Sequence, residues 1–197
     1  MGFPELSAIA EIYYDRNSAA DYICSSRMIK IQTELWFRTF NLFGISDDLK
    51  SNVFLNIGCG TGLAESLISP EKDFLIGVDI SFYMSKIYSK RHKNIDSILI
   101  DVSITSKLFR SNSIDFSFSI SCIQWVKNIN NSKSLIYNQE RLFANKIPKN
   151  KNIIQFFPLS KIQLKQILSV FKKGRNFLIT DRKDNNTRRR YFILYRW

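Results

Sequence analysis

Apolar runs of strand length alternate along the chain with stretches of helical spacing, and this alternation predicts an α/β fold. The first fifty residues are helical in pattern. Within residues 5–23, Leu6, Ile9, Ile12 and Tyr13 recur at three- and four-residue intervals, and Tyr22-Ile23 follow a polar break. A second helix is expected to take Ser25 or Ser26 as its N-cap, to carry Met28, Ile31, Leu35, Trp36 and Phe40 as one apolar stripe, and to end at Gly44. Beyond it the runs shorten into strands: Val53 to Ile57, Phe74 to Val78, Ser97 to Ile100, Ile114 to Ser121 and Asn152 to Phe157. Helices are expected between them from Leu63 to about Ser69, stopped by Pro70, from Ser81 to about Lys90, from about Ser132 to Lys146, and from about Ser160 to Lys172, ended by Gly174. Phe177 to Thr180 and Arg190 to Tyr195 flank a polar turn at 183–186 and read as an antiparallel hairpin at the sheet edge.

The first strand breaks into Gly58-Cys59-Gly60-Thr61-Gly62. A buried parallel strand that ends in such a turn and re-enters as a helix aims backbone N–H groups into one crevice, where the polar end of a ligand can sit. Asp79 ends the next strand, 21 residues after Gly58, where a carboxylate accepts hydrogen bonds from a ribose diol. Asp101 and Val102, beyond the third strand, are placed to border an adenine ring, although Asp101 also suits a turn cap. The fourth strand should face the reacting end of the ligand, so Gln124 offers an amide to a base edge and Trp125 a stacking surface, or else a ring packed on the next helix. Arg27 either holds a carboxylate over the crevice or is a surface cation. The glycine spacing is neither that of nicotinamide enzymes nor a Gly-Lys-Ser/Thr phosphate loop.

Composition sharpens this picture. The length of 197 residues suits a single domain, 1–197, with residues 1–50 as helices over the ligand site and 51–197 as the core. No apolar run approaches the roughly 20 residues that cross a bilayer, and no signal-peptide layout opens the chain, so a soluble intracellular protein without membrane attachment is expected. Cys24, Cys59, Cys122 and the single His92 lack metal-ligand spacing, so neither a disulfide framework nor a metal site is expected, and His92 is expected to face solvent. Charge is lopsided: residues 133–197 hold 16 Lys and Arg against 3 Asp and Glu, while residues 1–132 hold 13 against 14. A basic third that includes Arg188-Arg189-Arg190 is the footprint of polyanion binding, with lysine drift in a Lys-, Asn- and Ile-rich chain as the plainer explanation.

Four stretches together carry a resemblance: Ser26-Arg27-Met28-Ile29-x-Ile31-Gln32, Asn56 to Leu63, Gly77-Val78-Asp79-Ile80-Ser81, and Ser119-Ile120-Ser121-Cys122-Ile123-Gln124-Trp125. The glycine loop resembles motif I of S-adenosyl-L-methionine-dependent methyltransferases. All four look like the eukaryotic small-subunit ribosomal RNA guanine-N(7) methyltransferases, over nearly the whole chain. The resemblance implies a Rossmann-like class I methyltransferase fold: a seven-stranded, mostly parallel sheet with helices on both faces and an antiparallel C-terminal strand. It implies S-adenosyl-L-methionine held by Arg27, Asn56, Gly58, Cys59, Gly60, Gly62, Leu63, Asp79, Ile80, Asp101, Val102, Ser119 and Ile120. It also implies ribosomal RNA in the small-subunit precursor as substrate, a role in the nucleus, and a small zinc-binding activator protein, expected at the strand-three edge Ile98 to Ile100. Two departures stand out: Asn56 replaces the aspartate usual in motif I, and the family's long basic tail has no counterpart up to Trp197, so the basic third is expected to meet RNA.

Guanine N(7) has an unprotonated lone pair and needs no general base, so alignment is the expected catalytic device and no catalytic residue is named. The absence of an Asn/Asp-Pro-Pro-Tyr/Phe motif agrees, and Cys122 lacks the Pro-Cys setting of a cytosine-C5 nucleophile. The rival readings are a small-molecule or carrier carboxyl methyltransferase and a ribosome-assembly scaffold with dispensable catalysis.

Overall fold

The computed structural model describes residues 8–44, 52–63, 65, 74–92, 96–101, 108–110, 113–126, 151–171, 175–181 and 189–196. The expected helices at 63–69 and 132–146, Val102, Gly174 and the turn at 183–186 lie wholly or mostly outside them.

Among the described residues three helices precede the sheet: α1 Ala10–Tyr13, α2 Arg16–Cys24 and α3 Ser26–Phe43. The polar break read before Tyr22-Ile23 coincides with a division of this stretch into two helices. Asp15 is the reason: its carboxylate accepts the Ser18 N–H at 2.8 Å and starts a new helix at Arg16. Ser25 caps α3 through the Met28 N–H, and Gly44 ends it with φ of +55°.

The strands are β1 Val53–Ile57, β2 Phe74–Asp79, β3 Asp96–Leu99, β4 Phe116–Ile120, β5 Lys151–Phe156, β6 Arg175–Asp181 and β7 Arg190–Arg196, with α4 Phe82–Arg91 after β2 and α5 Lys161–Val170 after β5. They form a seven-stranded sheet in the order β3-β2-β1-β4-β5-β7-β6. The first five in that order run parallel, and β7 pairs antiparallel with both β5 and β6. The hairpin therefore lies at the edge, as its spacing predicts, with β7 inserted between β5 and β6. This is the α/β class I methyltransferase architecture that the resemblance implied.

The strands are apolar on both faces because both are covered. On one face Leu35, Trp36 and Phe43 of α3 pack on Phe54, Phe116, Phe118, Ile153 and Phe192. On the other, Ile154, Phe156 and Ile193 meet Ile167 of α5 together with Phe171 and Ile123. Two ion pairs tie α3 to the hairpin: Arg38 with Asp181 at 2.9 Å and Arg190 with Glu34 at 2.8 Å. In this arrangement the tips of β1, β2, β3 and β4 open on one end of the sheet, where the chain reverses direction across β1 and β4.

Candidate functional site

The crevice begins where β1 gives out. The N–H groups of Gly58 and Cys59 both donate to the Val78 carbonyl, at 2.8 and 3.0 Å, which ties the glycine turn to β2. Gly58 has φ of +73°, and a Cβ there would collide with the Cys122 side chain, so only glycine fits between the tips of β1 and β4. Gly60 differs: with φ of +59°, its missing Cβ would point into open space. That gap is the bare stretch of main chain that a ligand can approach.

Asp79 closes the other wall. Its two oxygens accept the N–H groups of Gly60 and Ser81, both at 2.8 Å, and a carboxylate so held retains a lone pair on each oxygen for two neighbouring hydroxyls. Burial raises its pKa, against those backbone bonds, which favour the charged form. Ile80, next in sequence, is half-buried. Ser81 is the N-cap of α4 and also donates to the Tyr14 carbonyl at 3.0 Å, which joins the N-terminal helices to the tip of β2. Tyr22 of α2 lies near enough for the Asp79 charge to help burial raise its phenol pKa, while the neighbouring Gln32 side chain of α3 acts the other way. The N-terminal helices thus roof the crevice.

Beyond β4, Cys122 lies against Gly58 and beside the Ser119 hydroxyl. Burial, with Asp79 and then Asp101 adding to it, pushes its thiol up to about 12, and burial raises Cys59 as well. Neither is a thiolate near neutral pH, so neither is a nucleophile. Ser121 has φ of +57°, unusual for a residue with a side chain, and is held there by the buried Gln155, whose side-chain oxygen accepts both its N–H and its hydroxyl at 3.1 Å.

Several expectations change. His92 does not face solvent: it is half-buried, its ring Nε2 lies 2.9 Å from the Gly62 carbonyl, and its ring packs on Tyr88 at 5.0 Å. Burial lowers its pKa accordingly. Gln124 does not offer its amide to a base edge. It is only 4% exposed, its side-chain oxygen accepts the Phe157 N–H, and its carbonyl accepts from Gln163 at 3.2 Å, so it anchors the loop after β5. Among the described residues Trp125 packs on Tyr13 and Tyr14, with ring centres 5.4 and 5.3 Å away, and the expected helix after it lies outside them. Arg27 is exposed in the first turn of α3, Asp101 is exposed beyond β3, Leu63 is half-buried after the glycine turn, Ser119 is buried, and Ile120 packs towards α3. Arg190, one of the three clustered arginines, is buried against Glu34 rather than free for a polyanion.

Sequence reasoning passes over Glu65. It is 2% exposed, receives the Asn56 side-chain N–H, and has its pKa raised to about 8, chiefly by burial. A Glu three residues past a glycine turn is an ordinary helix-start residue, so nothing in the pattern marks it. The side-chain oxygens Asn56 Oδ1, Thr61 Oγ1 and Glu65 Oε2 are buried without a hydrogen-bond partner. Such orphans on residues at the end of β1 and around the glycine turn, with Asp79 poised for a diol at the tip of β2, fit an amino-acid-bearing nucleoside such as S-adenosyl-L-methionine.

Comparison with known proteins gives the same answer. Residues 55–141 match a family described as methyltransferase domain. The chain is 32% identical over 201 residues to a Dictyostelium discoideum protein named "Probable 18S rRNA (guanine-N(7))-methyltransferase", covering 98% of this chain and 70% of that one. It is 33% identical over 169 residues to the 18S rRNA (guanine-N(7))-methyltransferase of Bos taurus, covering 83% of this chain and 59% of that one. In fold it resembles phosphoethanolamine N-methyltransferase 2 of Haemonchus contortus, solved in complex with S-adenosyl-L-methionine, at a TM-score of 0.69 and 17% identity over 93% of this chain and 57% of that one.

Proposed function

The chain belongs to the 18S rRNA (guanine-N(7))-methyltransferase family, and from that premise we propose that it methylates N(7) of a guanine in small-subunit ribosomal RNA and serves the biogenesis of that subunit. The observation that carries this reading is the glycine turn locked to Asp79: Gly60 donates to a buried carboxylate whose remaining lone pairs suit a ribose. S-Adenosyl-L-methionine supplies a methyl group activated on a sulfonium.

The work of the chain is placement. Asp79 would hold the ribose, the main chain at Gly58 to Gly62 the amino-acid end, and Ile80 and Asp101 the base, while the N-terminal helices, tied to the tip of β2 by Ser81, would shield the site from water. The guanine nitrogen is unprotonated, so no base is required, in keeping with thiols at Cys59 and Cys122 that stay protonated. Trp125, Tyr13 and Tyr14 are the aromatic surface on which the guanine would stack. Exposed Lys161, Lys165 and Arg189 would meet phosphates.

The reading extends to place and partner. We take the nucleus, where the small subunit is assembled, as the site of action. A small zinc-binding activator would pair with β3, the end strand of the sheet, where Leu99 is 52% exposed while Ile98 and Ile100 pack inward. The decisive measurement is mapping of 7-methylguanine in small-subunit RNA from cells with and without this protein. One position should lose its methyl group in its absence, and an unchanged map would refute the assignment.

A further inference from the structure

The crevice contains an acidic group that the glycine turn does not explain. Asn56, at the end of β1, donates its amide N–H to one oxygen of Glu65, and the two side chains are 5% and 2% exposed. Their other oxygens, Asn56 Oδ1 and Glu65 Oε2, have no hydrogen-bond partner. The Tyr88 hydroxyl lies by the same carboxyl and favours its charged form, but it too is without a partner in hydrogen-bond geometry. Arg91 acts on Glu65 only by its charge, from an exposed position. Both orphans are oxygens on two side chains that hydrogen-bond each other through their remaining atoms. A buried acceptor left without a donor is costly, and two on one bonded pair of side chains suit a ligand that carries several donors on one atom. An ammonium has three N–H donors and a charge that complements the carboxyl.

We propose that Glu65, positioned by Asn56, is the carboxylate that receives the ammonium of the cofactor's amino-acid end, so that the negative charge of this crevice sits on the far side of the glycine turn and not on β1. The inference rests on the reading of the crevice as a site for S-adenosyl-L-methionine. The amide at position 56 then has a defined task. It holds one carboxylate oxygen and leaves the other for the ligand, whereas a second carboxylate there would repel Glu65.

Calorimetry on the full chain separates the two layers. The probes are S-adenosyl-L-methionine and 5′-methylthioadenosine, which keeps the nucleoside and sulfur but lacks the amino-acid end. In Glu65→Gln, affinity for S-adenosyl-L-methionine should fall about 10- to 100-fold, the range for losing a hydrogen bond to a charged group, while affinity for 5′-methylthioadenosine stays within about twofold. The double variant Asn56→Asp with Glu65→Gln returns a carboxylate to the same pair and should recover most of the loss. It also serves if the single variant fails to fold, which circular dichroism would show. Equal losses for both probes, or no loss for either, would overturn the role of Glu65. A wild-type chain that binds neither probe would overturn the cofactor reading itself, and this inference with it.

Discussion

Arg190 and Glu34 meet at 2.8 Å, and this contact divides the basic C-terminal third into two populations. Arg190 is buried and holds β7 to α3, while Lys161, Lys165 and Arg189 are exposed. Charge counted along a sequence does not distinguish a structural cation from one offered to a partner.

A test of that division follows. Arg190→Met should lower stability by about 1–3 kcal/mol, since the buried side of the pair is lost while Glu34 is partly solvated, and should leave the salt dependence of RNA affinity unchanged. Lys165→Gln should do the reverse: little change in melting temperature, and a slope of log affinity against log salt shallower by about one if it meets a phosphate. Fluorescence titration with small-subunit RNA fragments at several salt concentrations, beside thermal melts, reads both effects. A steeper loss of slope in Arg190→Met than in Lys165→Gln would reverse the assignment.

Two glycines on alternate positions should fail in different ways. Gly58→Ala drives a methyl group into Cys122 at positive φ, so it should unfold the crevice and lower the melting temperature markedly. Gly60→Ala meets open space and suffers only the left-handed penalty of about 1–2 kcal/mol, yet its methyl group occupies the approach to the ligand. Cofactor affinity should therefore fall further than stability in Gly60→Ala. Calorimetry paired with thermal melts would show the contrast, and retained affinity in a folded Gly60→Ala chain would place the ligand elsewhere.

The fold is legible in the sequence because its signals are local and repeated. Apolar runs at strand length, the caps at Ser25, Ser81 and Ser160, and Gly44 each mark an element by chemistry contained within a few residues. Gly58 to Gly62 and Asp79 are legible for the same reason, as a turn and a spacing. What the sequence hides depends on contacts between distant segments. His92 reads as solvent-bound amid Lys90, Arg91 and Lys93, but its ring finds the Gly62 carbonyl 30 residues back. Gln124 turns inward because the loop after β5 needs its oxygen, and Glu65 matters only because Asn56 faces it.

Asp79 supports a direct test of the crevice. Asp79→Asn presents one donor where two backbone N–H groups point, so it should lose the anchoring of Gly60 or of Ser81 as well as one acceptor for the ribose. We expect affinity for both S-adenosyl-L-methionine and 5′-methylthioadenosine to drop by at least about 100-fold, because two charge-assisted hydrogen bonds are at stake. Wild-type affinity in this variant, measured by calorimetry, would remove Asp79 from the site.

The raised pKa of Glu65 makes stability depend on pH with a definite sign. Burial holds the folded carboxyl near 8, above its value in the unfolded chain, so the fold favours the protonated form. That contribution is fully present below the unfolded value and is lost as pH rises towards 8, at about 1.4 kcal/mol for each pH unit crossed. Other groups titrate too: burial lowers His92, which costs stability as pH falls, and the thiols of Cys59 and Cys122 are raised, which costs stability as pH becomes alkaline. Both thiols are raised above their ordinary value and do not titrate between pH 5 and pH 8, so in that window the difference between wild type and Glu65→Gln reads Glu65 and its coupling to Asp79. The melting temperature of Glu65→Gln relative to wild type should climb between pH 5 and pH 8 and then level off, and parallel curves across that window would show that the carboxyl ionises freely in the folded chain.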